Sequence, residues 1–233
     1  MRNRSLHLSP RLQAALELIN GAACVADVGC DHGRLAAALL QQNVCEHVIC
    51  TDVSAESLQK AEQLLTYIGV SDRASFRCGD GLSVLSPNAC DAVAILGMGG
   101  TLMVRILEAC ETPLNGAKAV VLQPMRAQRE IREYLYRQCY RITDDRIVRE
   151  GNRLYQVLSA IPSTTVQEIP KPFPKDFFDV GFLPFQNRDP NLRELCVRQR
   201  DQHQKRLESA RGTSGEEPLL TRIRALDQIL EQL

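Results

Sequence analysis

Apolar residues recur along this chain in two alternating rhythms. Leu12, Ala15, Leu16 and Ile19 stand at helical spacing behind Ser9-Pro10, a capping residue followed by proline at the first helical position, and Asn20-Gly21 stops the run. Residues 22–28 then form a short continuous apolar stretch, as a buried strand does. It breaks at Gly29-Cys30-Asp31-His32-Gly33 before Leu35, Ala36, Leu39 and Leu40 restore the helical period. The same unit returns with a strand at 48–52 and a helix from Ser54, and with a strand at 74–78 that meets Gly79-Asp80-Gly81. A strand at 91–96 is ended by Gly97-Met98-Gly99-Gly100 and followed by a helix carrying Leu102, Ile106 and Leu107. A strand at 119–124 precedes an arginine-rich helix over about 126–139. Five such units in succession predict an α/β fold with an open, mostly parallel sheet and helices on both faces.

The rhythm changes beyond residue 140. Residues 141–150 and 153–160 are both strand-like and are separated only by the turn Gly151-Asn152, which leaves no room for a helix. A terminal antiparallel hairpin on a parallel sheet predicts seven strands in the Rossmann-like arrangement of class I methyltransferases, whereas nicotinamide-binding domains end in a parallel strand. Residues 162–190 hold six of the eleven prolines together with Phe173, Phe177, Phe178, Phe182 and Phe185, an irregular packed connector. Two helical patterns follow, a mostly polar one from residue 191 and one with Leu219, Ile223, Leu226, Ile229, Leu230 and Leu233 on a single stripe. They are expected to pair as a helical hairpin. The expected division is therefore a cofactor-binding domain at 1–161, a connector at 162–190 and a helical appendage at 191–233.

Composition narrows the class. A chain of 233 residues accommodates one full α/β domain and a small addition, and it contains no apolar run near the ~20 residues a membrane span needs. The first residues lack the apolar core of a secretory signal, so a cytoplasmic location is expected, with no membrane partner. Nine cysteines form no Cys-x-x-Cys pair and mostly sit in apolar segments; they read as small core residues in a reducing compartment, and no metal site is expected. Net charge is zero, but only five of the 28 basic residues are lysine, and arginine is the side chain suited to bidentate phosphate contacts. A monomer is expected.

The strand ends carry the candidate chemistry. In the first loop, glycines at 29 and 33 allow close approach of backbone to a ligand at a helix N-terminus, but the Gly-x-Gly-x-x-Gly of dinucleotide binding is missing. A cofactor bearing an amino acid fits better, with Asp27 facing its ammonium group. Asp52 ends the second strand, where a carboxylate accepts from both ribose hydroxyls, with Val53 beside it. Asp80, between Gly79 and Gly81, ends the third, where a carboxylate selects an exocyclic amine. Each of these aspartates alone also reads as a turn or helix cap. Three at successive strand ends match the amino acid, ribose and adenine of S-adenosyl-L-methionine. Gly97, Met98 and Gly99 lie where the methyl group departs and a flat base approaches; Gln123-Pro124-Met125 forms either a further wall of that pocket or, at Met125, core packing.

Together Leu8-Ser9-Pro10-Arg11-Leu12, Ala26-Asp27-Val28-Gly29-Cys30-Asp31-His32, Gly79-Asp80-Gly81-Leu82, Gly97-Met98-Gly99-Gly100, Leu122-Gln123-Pro124 and Ile131-Arg132 with Leu135-Tyr136 resemble the bacterial TrmK family, over nearly the whole chain. The chain departs from that family at Cys30, at Gly33-Arg34-Leu35-Ala36 and at Met125, where the family commonly has serine, Ala-Tyr-Leu-Pro and asparagine. The resemblance implies methyl transfer to N1 of adenosine 22 in tRNA, a tRNA partner, and a cofactor held by Asp27, Gly29, Cys30, Asp31, Asp52, Val53, Asp80, Gly81 and Gly97. It also implies catalytic positions at Asp31, His32, Gly97, Met98 and Gly99, with Asp31 supplying electrostatic stabilisation and His32 shaping the pocket; His32 also reads as a satisfied loop histidine. Three sets of basic residues are candidates for RNA contact: Arg2, Arg4 and Arg11; Arg126, Arg129 and Arg132; and Arg198, Arg200, Lys205 and Arg206. Methylation of a small molecule or another RNA base, and RNA binding without catalysis, stay open as alternatives.

Overall fold

The structure, a computed structural model, describes residues 6–19, 21–109, 114, 116–165, 167–168 and 173–233. Arg2, Arg4, Asn20 and Cys110 lie outside the described residues.

Helix α1 (Pro10–Leu18) opens the chain, with Ser9 at its N-cap position. The Ser9 hydroxyl makes no capping bond and is buried without a partner, so proline at the first position does the initiating that the serine was expected to share. Three βα units follow: β1 (Cys24–Val28) with α2 (Arg34–Gln41), β2 (His47–Asp52) with α3 (Ala55–Ile68), and β3 (Ala74–Cys78), which is followed by a short turn. Two more consist of β4 (Ala92–Gly99) with α4 (Gly100–Glu108), and β5 (Ala119–Arg126) with α5 (Gln128–Arg137). β6 (Tyr140–Glu150) and β7 (Arg153–Pro162) form the hairpin, with Glu150 opposite Arg153 across the turn. The sheet order is β3-β2-β1-β4-β5-β7-β6, parallel from β3 to β5 and antiparallel where β7 meets β5 and β6. The expected seven-stranded Rossmann-like sheet is what forms.

One boundary differs from expectation. The segment Gly97–Gly99 does not end the fourth strand: β4 continues through it, with register shifts on either side of Met98 as it pairs with Pro124 and Arg126 of an equally extended β5. Gly97 adopts φ +74°, which gives the bulge its extra residue at no steric cost.

Both sheet faces are covered, which is why β1, β4 and β5 read as near-continuous apolar runs. One core joins α1, α2 and α3 to the sheet; the other joins α4 and α5 to its opposite face. A third gathers Phe173, Phe177 and Val180 of the connector with Leu192, Leu195 and Cys196 of α7 (Leu192–Ala210) and Leu226 and Ile229 of α8 (Glu216–Glu231). Among its described residues the connector contains one short helix, α6 (Leu183–Gln186), and aromatic rings stack edge to face there, Phe173 on Phe182 at 5.0 Å and Tyr136 of α5 on Phe177 at 5.3 Å. Beneath it Arg132, fully buried, makes a two-pronged bond to Asp145, Nε to Oδ2 and Nη2 to Oδ1 both at 2.8 Å, and donates to the Phe178 carbonyl. Arg129 pairs with Glu133, Asp176 and Asp179, and Asp179 is also bonded by His203 of α7. These links tie α5, β6, the connector and the hairpin into one packed unit. They also remove Arg129 and Arg132 from the candidate RNA surface.

The eight described cysteines are all unpaired, five of them buried. Burial pushes the Cys45 and Cys90 thiols up to about 11, which keeps them protonated and inert, as core residues should be.

Candidate active site

The C-terminal ends of the parallel strands surround a cleft of about 580 Å³, beside the point between β1 and β4 where strand order reverses. Ligands of open α/β sheets bind at that point.

β1 delivers Asp27 to the cleft floor. The residue is 4% exposed, and its Oδ2 is sealed from solvent with no partner. Burial pushes its carboxyl up to about 7; the Ala36 backbone N–H in the first turn of α2 opposes the shift and the charge of Asp52 adds to it. The loop then turns through Gly29 at φ +67°, whose amide donates to the Thr51 carbonyl at 2.7 Å. A Cβ at Gly29 would lie 2.0 Å from Met98 Cε, so the Met98 methyl occupies the space that glycine leaves. Cys30 is buried beneath the loop, its amide also bonded to Thr51.

Asp31 takes a left-handed φ of +49°, uncommon outside glycine, and its amide donates to Asp52 Oδ2 at 3.1 Å. This contact couples the first loop to the second strand end. The Asp31 carboxylate, 73% exposed, lies 2.8 Å from His32 Nδ1 at the mouth of the cleft. Asp52 Oδ1 accepts from Ser54 N at 2.9 Å, so each oxygen holds one backbone N–H, and each retains a lone pair for a ligand. Val53, 71% exposed, offers an apolar surface beside it. Asp80 lines the third strand end with Gly81; its carbonyl binds Ser83, and its carboxylate has no partner among the described residues.

Of the catalytic and cofactor-binding residues expected from the sequence, all but Gly99 line this one cleft. Gly99 instead faces Arg126, whose Nε would be 3.2 Å from a Cβ there. Leu102 and Ile106 lie on the helix after the fourth strand, α4. Ile106 is buried, but Leu102 is 38% exposed, and both line the cleft. Arg11 reaches the same wall from α1, its guanidinium 5.1 Å from the Tyr155 ring and its Nη1 3.5 Å from Met125 Sδ. Met125 is itself 40% exposed on the cleft, a wall residue rather than core packing. No group of residues that could hold a metal ion occurs among the described residues.

Comparison with known proteins agrees with this geometry. The family described as methyltransferase domain matches residues 8–158. The Bacillus subtilis (strain 168) protein named tRNA (adenine(22)-N(1))-methyltransferase is 36% identical over 155 residues, which span 66% of this chain and 65% of that protein. The crystal structure of the B. subtilis M1A22 tRNA methyltransferase TrmK superposes with a TM-score of 0.83 at 27% identity, covering 97% of this chain and 99% of that one. Streptococcus pneumoniae Sp1610 in complex with S-adenosyl-L-methionine shares the fold, with a TM-score of 0.84 at 21% identity over 96% of this chain and 100% of that one. A seven-stranded sheet with a reversed hairpin, a glycine turn over a buried aspartate, and a matching stretch that covers both lead to one assignment: the chain belongs to the methyltransferase-domain family.

Proposed function

We propose that this protein is an S-adenosyl-L-methionine-dependent tRNA methyltransferase that modifies N1 of an adenosine, the one at position 22. The observation that carries the reading is Asp27, a buried carboxylate with an orphaned oxygen in a cleft whose next two strand ends supply Asp52 and Asp80. A sealed, half-partnered carboxylate calls for a cationic ligand. The similarity to the B. subtilis enzyme supports the choice of tRNA and of the adenine position.

The residues fit the cofactor. Asp27 would hold its ammonium group, the free lone pairs of Asp52 its ribose hydroxyls, and Asp80 its adenine amine, with the apolar face of Val53 against the ring. When bound, the cofactor supplies a methyl group on a positively charged sulfur. Adenine N1 carries its own lone pair at neutral pH, so the chain needs no general base. Its task is to hold the two partners in line, and to place negative charge where the methylated ring becomes cationic. Asp31, fixed by Asp52 through its backbone and by His32 through its carboxylate, stands at the mouth for that role. Gly97 and Met98 form the adjoining wall. Entry of the adenosine requires it to leave its stack, at a cost of a few kcal/mol.

Of the candidate basic groups, Arg126, Lys205 and Arg206 hold no ion pair among the described residues and are the ones left to contact phosphates; Arg11, Arg198 and Arg200 are drawn to Glu150, Glu194 and Asp227. No helix among the described residues is long and apolar enough to cross a membrane. The test is transfer of labelled methyl from S-adenosyl-L-methionine to unmodified tRNA transcripts with adenosine or guanosine at position 22. Label in the first alone is expected. Equal label in both, or none in either while cofactor still binds, would refute the reading.

A further inference from the structure

Gln123 is 1% exposed at the C-terminal end of β5, yet it lines the cleft. Ala94 pairs with Asp27 on one side and Val121 on the other, and two residues further on Leu96 pairs with Gln123. With a period of two, Gln123 stands on the same sheet face as Asp27, two strands away, on the side of the cleft opposite the cofactor aspartates. Its carboxamide is held in one orientation. Nε2 donates to the Pro124 carbonyl at 3.2 Å and to Met125 Sδ at 3.5 Å, two groups that can only accept. Turning the amide over would set its oxygen against both of them. Both amide hydrogens are therefore committed, and Oε1 points away. Oε1 receives no donor from any described residue, and Gln123 is among the residues that line the cleft.

We infer that Gln123 reads the target base, its Oε1 accepting from the exocyclic amine of the adenine to be methylated. The inference rests on the function proposed above. In adenine the amine on C6 is the immediate neighbour of N1, so one acceptor there fixes N1 relative to the methyl donor. As N1 uses its lone pair to form the new N–CH3 bond, and the old C–S bond breaks with its electrons left on sulfur, the ring becomes cationic and the amine hydrogens more acidic. A hydrogen bond to Oε1 then strengthens along the reaction, the condition for accelerating it rather than merely binding. Guanine presents a carbonyl oxygen at the same place and would oppose Oε1, acceptor against acceptor. The same acceptor engages the amine nitrogen as a donor and so directs methylation to N1.

The test compares tRNA carrying adenosine at the target position with tRNA carrying purine riboside there, which keeps N1 and lacks the amine. kcat/KM is measured for wild type, Gln123→Met and Gln123→Leu, with cofactor affinity titrated for each. The wild-type preference for adenosine is expected to shrink about tenfold in the Met and Leu variants, the worth of one neutral hydrogen bond. Cofactor affinity should stay within about twofold in all of them. A preference unchanged in both Met and Leu, or rates that fall in parallel on the two substrates, overturns the role of Gln123 as a reader and leaves it structural. Failure of the wild type to methylate adenosine at all sinks the functional reading itself, and this inference with it.

Discussion

Asp27 is the residue on which the cleft's electrostatics turn. Burial holds its carboxyl at about 7, against an ordinary 3.8, so the folded protein keeps a proton over a range where the unfolded chain has released it. That stabilisation is complete below about pH 3.8 and is lost as pH rises through about 7. The ligand-free protein should therefore show a Tm that falls between pH 5 and pH 7.5, and Asp27→Asn should flatten the fall; scanning calorimetry reads both. Cofactor affinity should run the other way, because an ammonium group needs the ionised carboxylate. It should weaken by about tenfold per unit below pH 7 and lose most of that dependence in Asp27→Asn, as isothermal titration would show. Gly29 allows a second prediction. Alanine there meets Met98 Cε at 2.0 Å in a backbone conformation of φ +67°, so Gly29→Ala should cost about 1–3 kcal/mol of stability and much of the cofactor affinity. Pairing it with Met98→Ala should return part of the loss, because the collision is with a flexible side chain.

At the scale of elements, the buried Arg132–Asp145 pair joins α5 to β6 beneath the connector, and the chain passes over it at Gly181, where a Cβ would sit 2.2 Å from Asp145 Oδ2. Asp145→Leu leaves a guanidinium buried and should destabilise by about 3–5 kcal/mol in urea unfolding, whereas Arg132→Met with Asp145→Leu should recover most of it. Equal losses in the single and double variants would mean the pair acts by packing alone. These same residues show where sequence reading stops. Strand-helix alternation and the Gly151 turn were legible because burial on both sheet faces leaves apolar runs, and because a two-residue turn admits only a hairpin. The extension of β4 through Gly97–Gly99 was not, since three such residues have no strand preference of their own and pair only because β5 runs alongside. Arg129 and Arg132 read as part of a candidate RNA-contacting face; their enclosure depends on Asp145, Asp176 and Asp179, partners that no local periodicity encodes. Leu102 showed the converse, since spacing marks the apolar stripe of a helix but not the cleft that the stripe borders.

Across the whole molecule, the aspartates read from the sequence converge on one cleft because successive parallel strands bring their C-terminal ends to one edge; chain order became spatial order. What the sheet does not decide is how a folded RNA reaches that edge. Charge reversal at Lys205 and Arg206 should raise KM for tRNA and lower the salt dependence of binding by about one unit of log–log slope per lost contact, with cofactor affinity unaffected. No change in either would place the RNA elsewhere, on the face carrying Arg11 and Arg126. The central claim concerns which atom receives the methyl group, and chromatography with mass spectrometry of nucleosides from a methylated tRNA transcript reads that atom directly. The account predicts 1-methyladenosine as the product, at position 22; N6-methyladenosine, a methylated guanosine, or an unmodified transcript from an enzyme that binds its cofactor would contradict it.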